Sequence, residues 1–445
     1  MQIRKMSGNA GEESGARGKR PGRMNALDRA FAFLSDRRSE PFMVGHVLDF
    51  PAESFTLDAL RARVAERAPG LEPLNVAAVP GARSWTRTAP PRAELHVGGE
   101  RADGRLAEAT DAAQHRPLPA RPAPRWDLRL LTCRAENVQR VCFRIEHAIT
   151  DGVGAAHLLA ALLADEPCAG PYPYRPPVRR RRGSVSWAAT WPLGKLPDRE
   201  TVPAGCDAPR SGQVAMAYAD VPEAELRAVA SRRGVTVNDV YLAAVAGALT
   251  ALQERRTGRA RDLKAVMPMS VRPQGASLAP GNAALPAIVR LPCTTAAPEQ
   301  RLADLAGQTL AHKGSGLRES GWRTLLRIPP RLLCRTTERV GFRLAISNIN
   351  LNGTYRVLDA PLLGGGVFAL NSPGMLGYFS LVRTTGTARM TVVHDRSSAA
   401  AADLPKLWVE ALAELSGLPI PPTPPGSPDS PNLGPLRTLR PLRER

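Results

Sequence analysis

The sequence predicts an α/β protein built as two halves, each a mixed sheet covered by helices. Three observations carry that prediction. The chain has 445 residues, more than one hydrophobic core usually organises. Strand-like and helix-like patterns alternate in both halves. A proline- and arginine-rich stretch, residues 167–183, separates two segments of globular composition.

In the first half the pattern predicts a helix near Leu27 to Leu34, a strand over Met43 to Phe50 and a helix from Leu57 to about Arg67, with Asp58 near its start. Residues 126–132 and 138–145 read as strands, and the apolar run Gly154 to Ala164 as a helix. In the second half a strand over Gln213 to Ala219 leads into a helix with acidic residues at its start and Gly234 as its stop. A second helix follows, capped by Thr236 or Asn238, then the strand LKAVMPMSV. Gly366 to Leu370, Tyr378 to Arg383 and Ala388 to His394 read as strands, and Leu404 to Leu415 as a helix. Gly364-Gly365-Gly366 reads as a turn and not as a phosphate loop, because no helix and lysine follow it. The ends differ in composition: residues 1–23 are glycine- and charge-rich and residues 418–445 proline-rich, so both are expected to be disordered. The organisation is therefore 24–170, a crossover over 171–211, and 212–417.

The net charge of +19 is mostly arginine spread along the chain. No helix-turn-helix, zinc-finger or aromatic RNA-binding signature accompanies it, so nucleic acid is not the expected partner. Such a balance suits anionic small ligands, acidic proteins or anionic lipid surfaces. The run Arg179 to Arg182 reads as a solvated linker, with docking of a carrier protein or a membrane as the sharper alternative. Six cysteines include no C-x-x-C pair, and no histidines or cysteines show metal-ligand spacing, so neither disulfides nor a metal is expected. No apolar run reaches the roughly 18 residues of a membrane span, which gives a cytoplasmic expectation with peripheral membrane contact left open.

The chemistry concentrates in Phe143-Arg144-Ile145-Glu146-His147-Ala148-Ile149-Thr150-Asp151-Gly152-Val153-Gly154. A strand ends at His147 and a helix begins near Gly154, so the imidazole stands on rigid elements. It titrates near neutral pH and can take a proton from an alcohol or amine. Asp151 can return to fix the local backbone, and Gly152 is expected to permit a turn that a side chain would obstruct. A strand-end histidine is also a common structural element, so the pattern alone leaves both roles open. His157 is expected to be a packing residue and His394 structural; His46 could face either side of its strand.

That motif resembles the His-x-x-x-Asp-Gly signature of the CoA-dependent acyltransferase superfamily, which includes chloramphenicol acetyltransferase, condensation domains and the bacterial wax ester synthase/diacylglycerol acyltransferases. The last group fits best, through most of residues 24–416. Met24-Asn25-Ala26-Leu27-Asp28 with Phe31, and Pro41 to Gly45, resemble its opening helix and strand. Arg121-Pro122 through Trp126-Asp127-Leu128, Val237-Asn238-Asp239-Val240, Met267 to Arg272 and Gly281-Asn282 resemble further motifs in order. The resemblance implies two chloramphenicol-acetyltransferase-like subdomains with an active-site tunnel between them. It implies an acyl thioester (acyl-CoA or an acyl carrier protein) as substrate, no bound cofactor, and an alcohol, diacylglycerol or amine acceptor. His147 would be the base, Asp151 structural with Arg272 as partner. Asn238 could orient the cleft or help polarise the substrate, or merely cap its helix; Asp239, Ser347 and Asn348 join it as cleft candidates.

Two departures stand out. Glu146 occupies the place of the family's first histidine, and could raise the pKa of His147 or turn away from it. The family's late Ser-Asn-Val-Pro-Gly-Pro appears as Ser347-Asn348-Ile349-Asn350-Leu351-Asn352-Gly353, a loop expected to line the cleft. A condensation-like tailoring enzyme of natural-product biosynthesis and a catalytically lapsed binding module are the alternatives to an O-acyltransferase.

Overall fold

The computed structural model describes residues 22–37, 42–166, 211–272, 278–314, 317–340, 344–351, 355–368 and 377–417. Residues 1–21 of the expected N-terminal tail, the expected C-terminal tail, all but the last residue of the crossover, and the arginine run Arg179 to Arg182 lie outside the described residues; Arg23, expected to be disordered, forms a β-bridge with Ser84.

The first half contributes strands β1 (Met43–Pro51), β2 (Val97–Arg101), β3 (Trp126–Cys133) and β4 (Val138–Glu146), with helices α1 (Ala26–Asp36), α2 (Leu57–Arg67), α3 (Leu106–Gln114) and α4 (Gly152–Leu163). The second contributes β5 (Val214–Pro222), β6 (Leu263–Ser270), β7 (Ala284–Leu291), β8 (Leu344–Asn350), β9 (Gly364–Phe368), β10 (Gly377–Arg383) and β11 (Thr387–Asp395). Its helices are α5 (Glu223–Arg233), α6 (Val237–Thr257), α7 (Pro298–Gly314), α8 (Leu317–Leu325), α9 (Pro330–Val340) and α10 (Leu404–Ser416).

Local chemistry sets the helix ends. Asn25 and Asp28 form a reciprocal capping box on α1, as do Thr236 and Asp239 on α6, so Thr236 and not Asn238 is the cap. Gly234, Gly258 and Gly417 close α5, α6 and α10 in the left-handed conformation. Helix α6 is buried along most of its length against the second sheet and α10.

Of the two large sheets, one has the order β9-β1-β4-β3-β2 and the other β5-β11-β10-β8-β6-β7, beside two short two-stranded ribbons. Both large sheets are mixed: β2 runs parallel to β3, and β8 parallel to β10 and β6. The division at the crossover separates the two sheets with one exception. Strand β9 belongs by sequence to the second half but pairs with β1, Gly364 opposite Asp49 and Gly366 opposite Val47. The three glycines are thus strand residues and not the expected turn. A Cβ at Gly366 would meet Thr391 Oγ1 at 2.7 Å, so only a bare backbone lets β9 pass so near β11. Residues 347–350 of the expected loop are likewise a strand, while Asn352 and Gly353 lie outside the described residues. Ser347 and Asn348 lie in β8, in parallel register opposite Ser380 and Leu381 of β10. Its alternating Ile and Asn satisfy an interior strand once the Pro-Gly of the related motif is gone.

A buried ion cluster closes the seam beside β9. Arg140 Nε and Nη2 donate to the Asp49 carboxylate at 2.7 and 2.8 Å, and Arg389 bridges Asp49 to Asp220. The Tyr218 ring lies 5.0 Å from the Arg140 guanidinium and 4.1 Å from that of Arg389. Every charge in the cluster has an opposite partner, which is the condition for burying it.

Candidate active site

His147 follows directly on β4, where its backbone N–H donates to Phe42 O at 2.7 Å. Its ring is stacked on Phe42 at 4.7 Å and meets Phe31 of α1 edge-on at 4.7 Å, two contacts that fix the ring plane. The side chain is half-buried. Burial pushes its pKa below the ordinary histidine value, against its own carbonyl, Asp151 and Asn282, which favour the charged ring. Burial thus favours the neutral imidazole.

Asn282, at the start of the segment leading into β7, decides which nitrogen carries the proton. Its Nδ2 donates to Asp28 Oδ1 at 3.0 Å and to the carbonyls of His147 and Ala148 at 2.9 and 3.3 Å. With its amide nitrogen surrounded by acceptors, its Oδ1 must face the ring, 3.1 Å from His147 Nδ1. Nδ1 then carries the hydrogen and Nε2 keeps its lone pair. Asp28 in turn accepts from Asn282 N at 2.7 Å and Asn25 N at 2.8 Å, and burial pushes its pKa up to about 6. Sequence reading named Gly281-Asn282 and Asp28 only as family markers. Their joint role depends on a contact spanning 254 residues, which no local pattern reveals.

Asp151 belongs to a separate, fully buried clamp. Its Oδ1 caps α4 by accepting from Gly154 N at 2.8 Å. Its Oδ2 accepts from Arg272 Nη2 at 2.8 Å and Ala283 N at 2.7 Å. Burial alone would raise the pKa of Asp151; Arg272 and these N–H donors outweigh it and hold the carboxyl below its usual range. Arg272 also donates to Gly281 O at 2.7 Å. The clamp and the Asn282 network grip the same short segment, Gly281 to Ala283, and Gly281 N also donates to Ile149 O at 2.7 Å, so the motif of one half is fastened to the other at three points.

The glycine requirement lies elsewhere than expected. A Cβ at Gly152 would find only ordinary contacts, Ile349 at 3.8 Å and Val44 at 3.9 Å, so the turn does not demand glycine there. A Cβ at Gly154 would sit 2.1 Å from Thr150 Oγ1 and 2.6 Å from Arg272 Nη2. Gly154 is the position that must stay bare for the arginine to reach Asp151. The Gly152 carbonyl is met instead by His46 Nε2 at 2.8 Å, which places His46 as a buried support beneath the start of α4.

Glu146 points away from His147. Its carboxyl is buried near Arg125, whose Nε lies 3.7 Å away, and near the Ser35 hydroxyl; burial raises its pKa. The remaining candidates do not join the histidine. Asn238 and Asn348 pair with each other at 3.4 Å, with Met267 Sδ beside Asn238 at 4.0 Å. Ser347 is buried on the opposite face of β8, by Tyr378. Asp239 is not available to a cleft at all: one oxygen closes the capping box with Thr236, and the other accepts from Thr309 Oγ1 at 2.6 Å. Among the described residues no group of histidine, cysteine or acidic side chains is arranged to hold a metal. Cys133, Cys142, Cys293 and Cys334 are buried thiols.

The arrangement of two fastened mixed sheets is found in solved structures. The wax ester synthase/diacylglycerol acyltransferase of Marinobacter aquaeolei VT8 superposes over 89% of this chain and 100% of its own, with a TM-score of 0.60 and 18% identity. This chain has that fold. The first condensation domain of the CDA synthetase matches over 90% of this chain and 97% of its own, at TM-score 0.59 and 16% identity. A starter condensation domain of a rhizomide synthetase, solved in complex with C8-CoA, matches over 90% and 95% at TM-score 0.57 and 14% identity. In sequence, a candidate diacylglycerol O-acyltransferase of Mycobacterium tuberculosis, present in two strains, is 30% identical over 194 residues, 36% of this chain. The match spans 41% of that relative's length. No protein-family model matches the chain. The resemblance seen in the ordered motifs thus extends to the whole wax ester synthase architecture.

Proposed function

We propose that the protein is an acyltransferase that moves an acyl group from a thioester to a hydroxyl or amine, with His147 Nε2 as general base. The observation that carries this reading is the fixed tautomer: Asn282 holds Nδ1–H, leaving the Nε2 lone pair free on a ring clamped by Phe31 and Phe42. In the step, Nε2 takes the proton of the acceptor O–H or N–H as that atom attacks the thioester carbonyl. The tetrahedral oxyanion collapses with cleavage of the C–S bond, and the proton passes from Nε2 to the departing thiolate. No covalent acyl-enzyme is required.

The fold and the names of the relatives support thioester chemistry, and a long-chain alcohol or diacylglycerol is the acceptor their names suggest. Condensation domains share the fold, and this supports an amine acceptor, as in a condensation-like tailoring reaction, as the second reading. The test is thiol release from acyl-CoAs of increasing length with alcohol, diacylglycerol and amine acceptors. Release that needs both an acceptor and His147 supports the reading. Silence with all acyl-CoAs and with an acylated carrier protein overturns it.

A further inference from the structure

Helices α8 and α9 carry a surface whose two sides have opposite chemistry. Leu325, Leu333 and Cys334 point inward and are buried in the core that also holds α1. The neighbouring positions do the reverse: Leu326 is 38% exposed and Leu332 53%. Leu310, late in α7, is 70% exposed. Side chains of this size are ordinarily scattered singly on a surface. Here Leu326 and Leu332 stand within one turn-linked helix pair, with the partly buried Trp322 one helical turn before Leu326. Arginines recur between them at every fourth residue, Arg323, Arg327, Arg331 and Arg335, all exposed. From Ser320 to Thr337 the sequence contains no acidic residue.

We propose that this face docks on an anionic lipid surface, with the leucines entering the acyl boundary and the arginines at headgroup level. The charge is complementary to phosphate headgroups and is spread along the helix pair, which suits a continuous surface. The leucines give the apolar contribution that a purely electrostatic patch lacks. The position also has a consequence for the site. Helix α9 packs along α1, and α1 carries Phe31 against the His147 ring. Arg331 itself lies over the Phe33 ring of α1 at 5.4 Å. A lipid surface held by α8 and α9 is therefore one helix away from the proposed base.

The test is co-sedimentation of the full chain with phosphatidylcholine vesicles, with and without phosphatidylglycerol, at low and high salt. Binding should require the anionic lipid and weaken with salt. Arg327→Gln with Arg335→Gln should weaken it by about fivefold per arginine. Leu326→Glu with Leu332→Glu should abolish it, since both side chains are exposed and their replacement leaves the melting temperature unchanged. Vesicle binding is read without any acyl transfer, so its outcome is separate from that of the proposed activity. Binding that is indifferent to phosphatidylglycerol, or unchanged in the leucine variant, overturns the proposal. So does absence of binding to the phosphatidylglycerol vesicles at low salt.

Discussion

His147 and Asp151 are four residues apart and fastened to the same segment of the other half, yet their surroundings are opposite. Asp151 is fully buried, charged, and saturated by Arg272, Gly154 N and Ala283 N. His147 is half-buried, its pKa is lowered by burial, and its Nδ1 is held by Asn282. A saturated group stabilises and does no chemistry; a group with one atom satisfied and one free can exchange a proton. The contrast separates the roles of two residues that the bare motif presents as a unit.

The comparison predicts a graded series. The largest effect on rate is expected for His147→Ala, a loss of about a hundredfold to ten-thousandfold in thiol release with an unchanged melting temperature. A mutant that retains most of the activity would remove the base from the mechanism. Asp151→Ala should show the inverse signature: it leaves the Arg272 charge buried without its carboxylate and should cost about 3–5 kcal/mol of stability. Thermal denaturation measures this, and an unchanged midpoint would break the contrast.

Asn282→Ala should fall between the two. Without Oδ1 the proton is no longer held on Nδ1, and the rate should drop about tenfold. Its sign in pH is the sharper test. The rate requires neutral His147 and is lost as pH falls through its pKa, which burial already places below the ordinary range. Asn282 favours the charged ring, so its removal should move the acid limb of the rate profile to still lower pH while the plateau falls. A merely structural role would lower the plateau and leave the limb in place. The smallest effect is expected for Glu146→Gln, within about twofold in rate, because the carboxyl faces Arg125 and Ser35 and not the imidazole. A shifted pH profile in that variant would show that the departure from the paired-histidine motif matters to the base.

Legibility in sequence followed the range of the interactions. Helices with local caps were read nearly to the residue: Leu57 to Arg67 coincides with α2, and Gly234 stops α5 as its position suggested. The clamp could be anticipated from charge, since Asp151 needs a cation and Arg272 follows a strand. Ser347-Asn348-Ile349-Asn350 reads as a loop in sequence because the pairing of β8 is supplied by β10 and β6 and by nothing in those residues themselves. Gly152 drew attention that belonged to Gly154, since the crowding at Gly154 comes from Arg272, 118 residues later. The Asp28–Asn282 link was beyond reach for the same reason: capping explains Asp28 locally, and only the fold adds its second partner.

Strand β9 gives the molecule a mechanical character that its two-sheet plan conceals. Residues Gly364 to Phe368 are lent by one half to the edge of the other's sheet, sealed by hydrogen bonds along β1 and by the Asp49–Arg140–Arg389–Asp220 cluster beside it. The halves are buttoned together there, so they cannot swing apart like the shells of a clam without tearing a ladder of backbone bonds. Opening that seam would cost the whole ladder at once, so the two halves should melt as one cooperative unit.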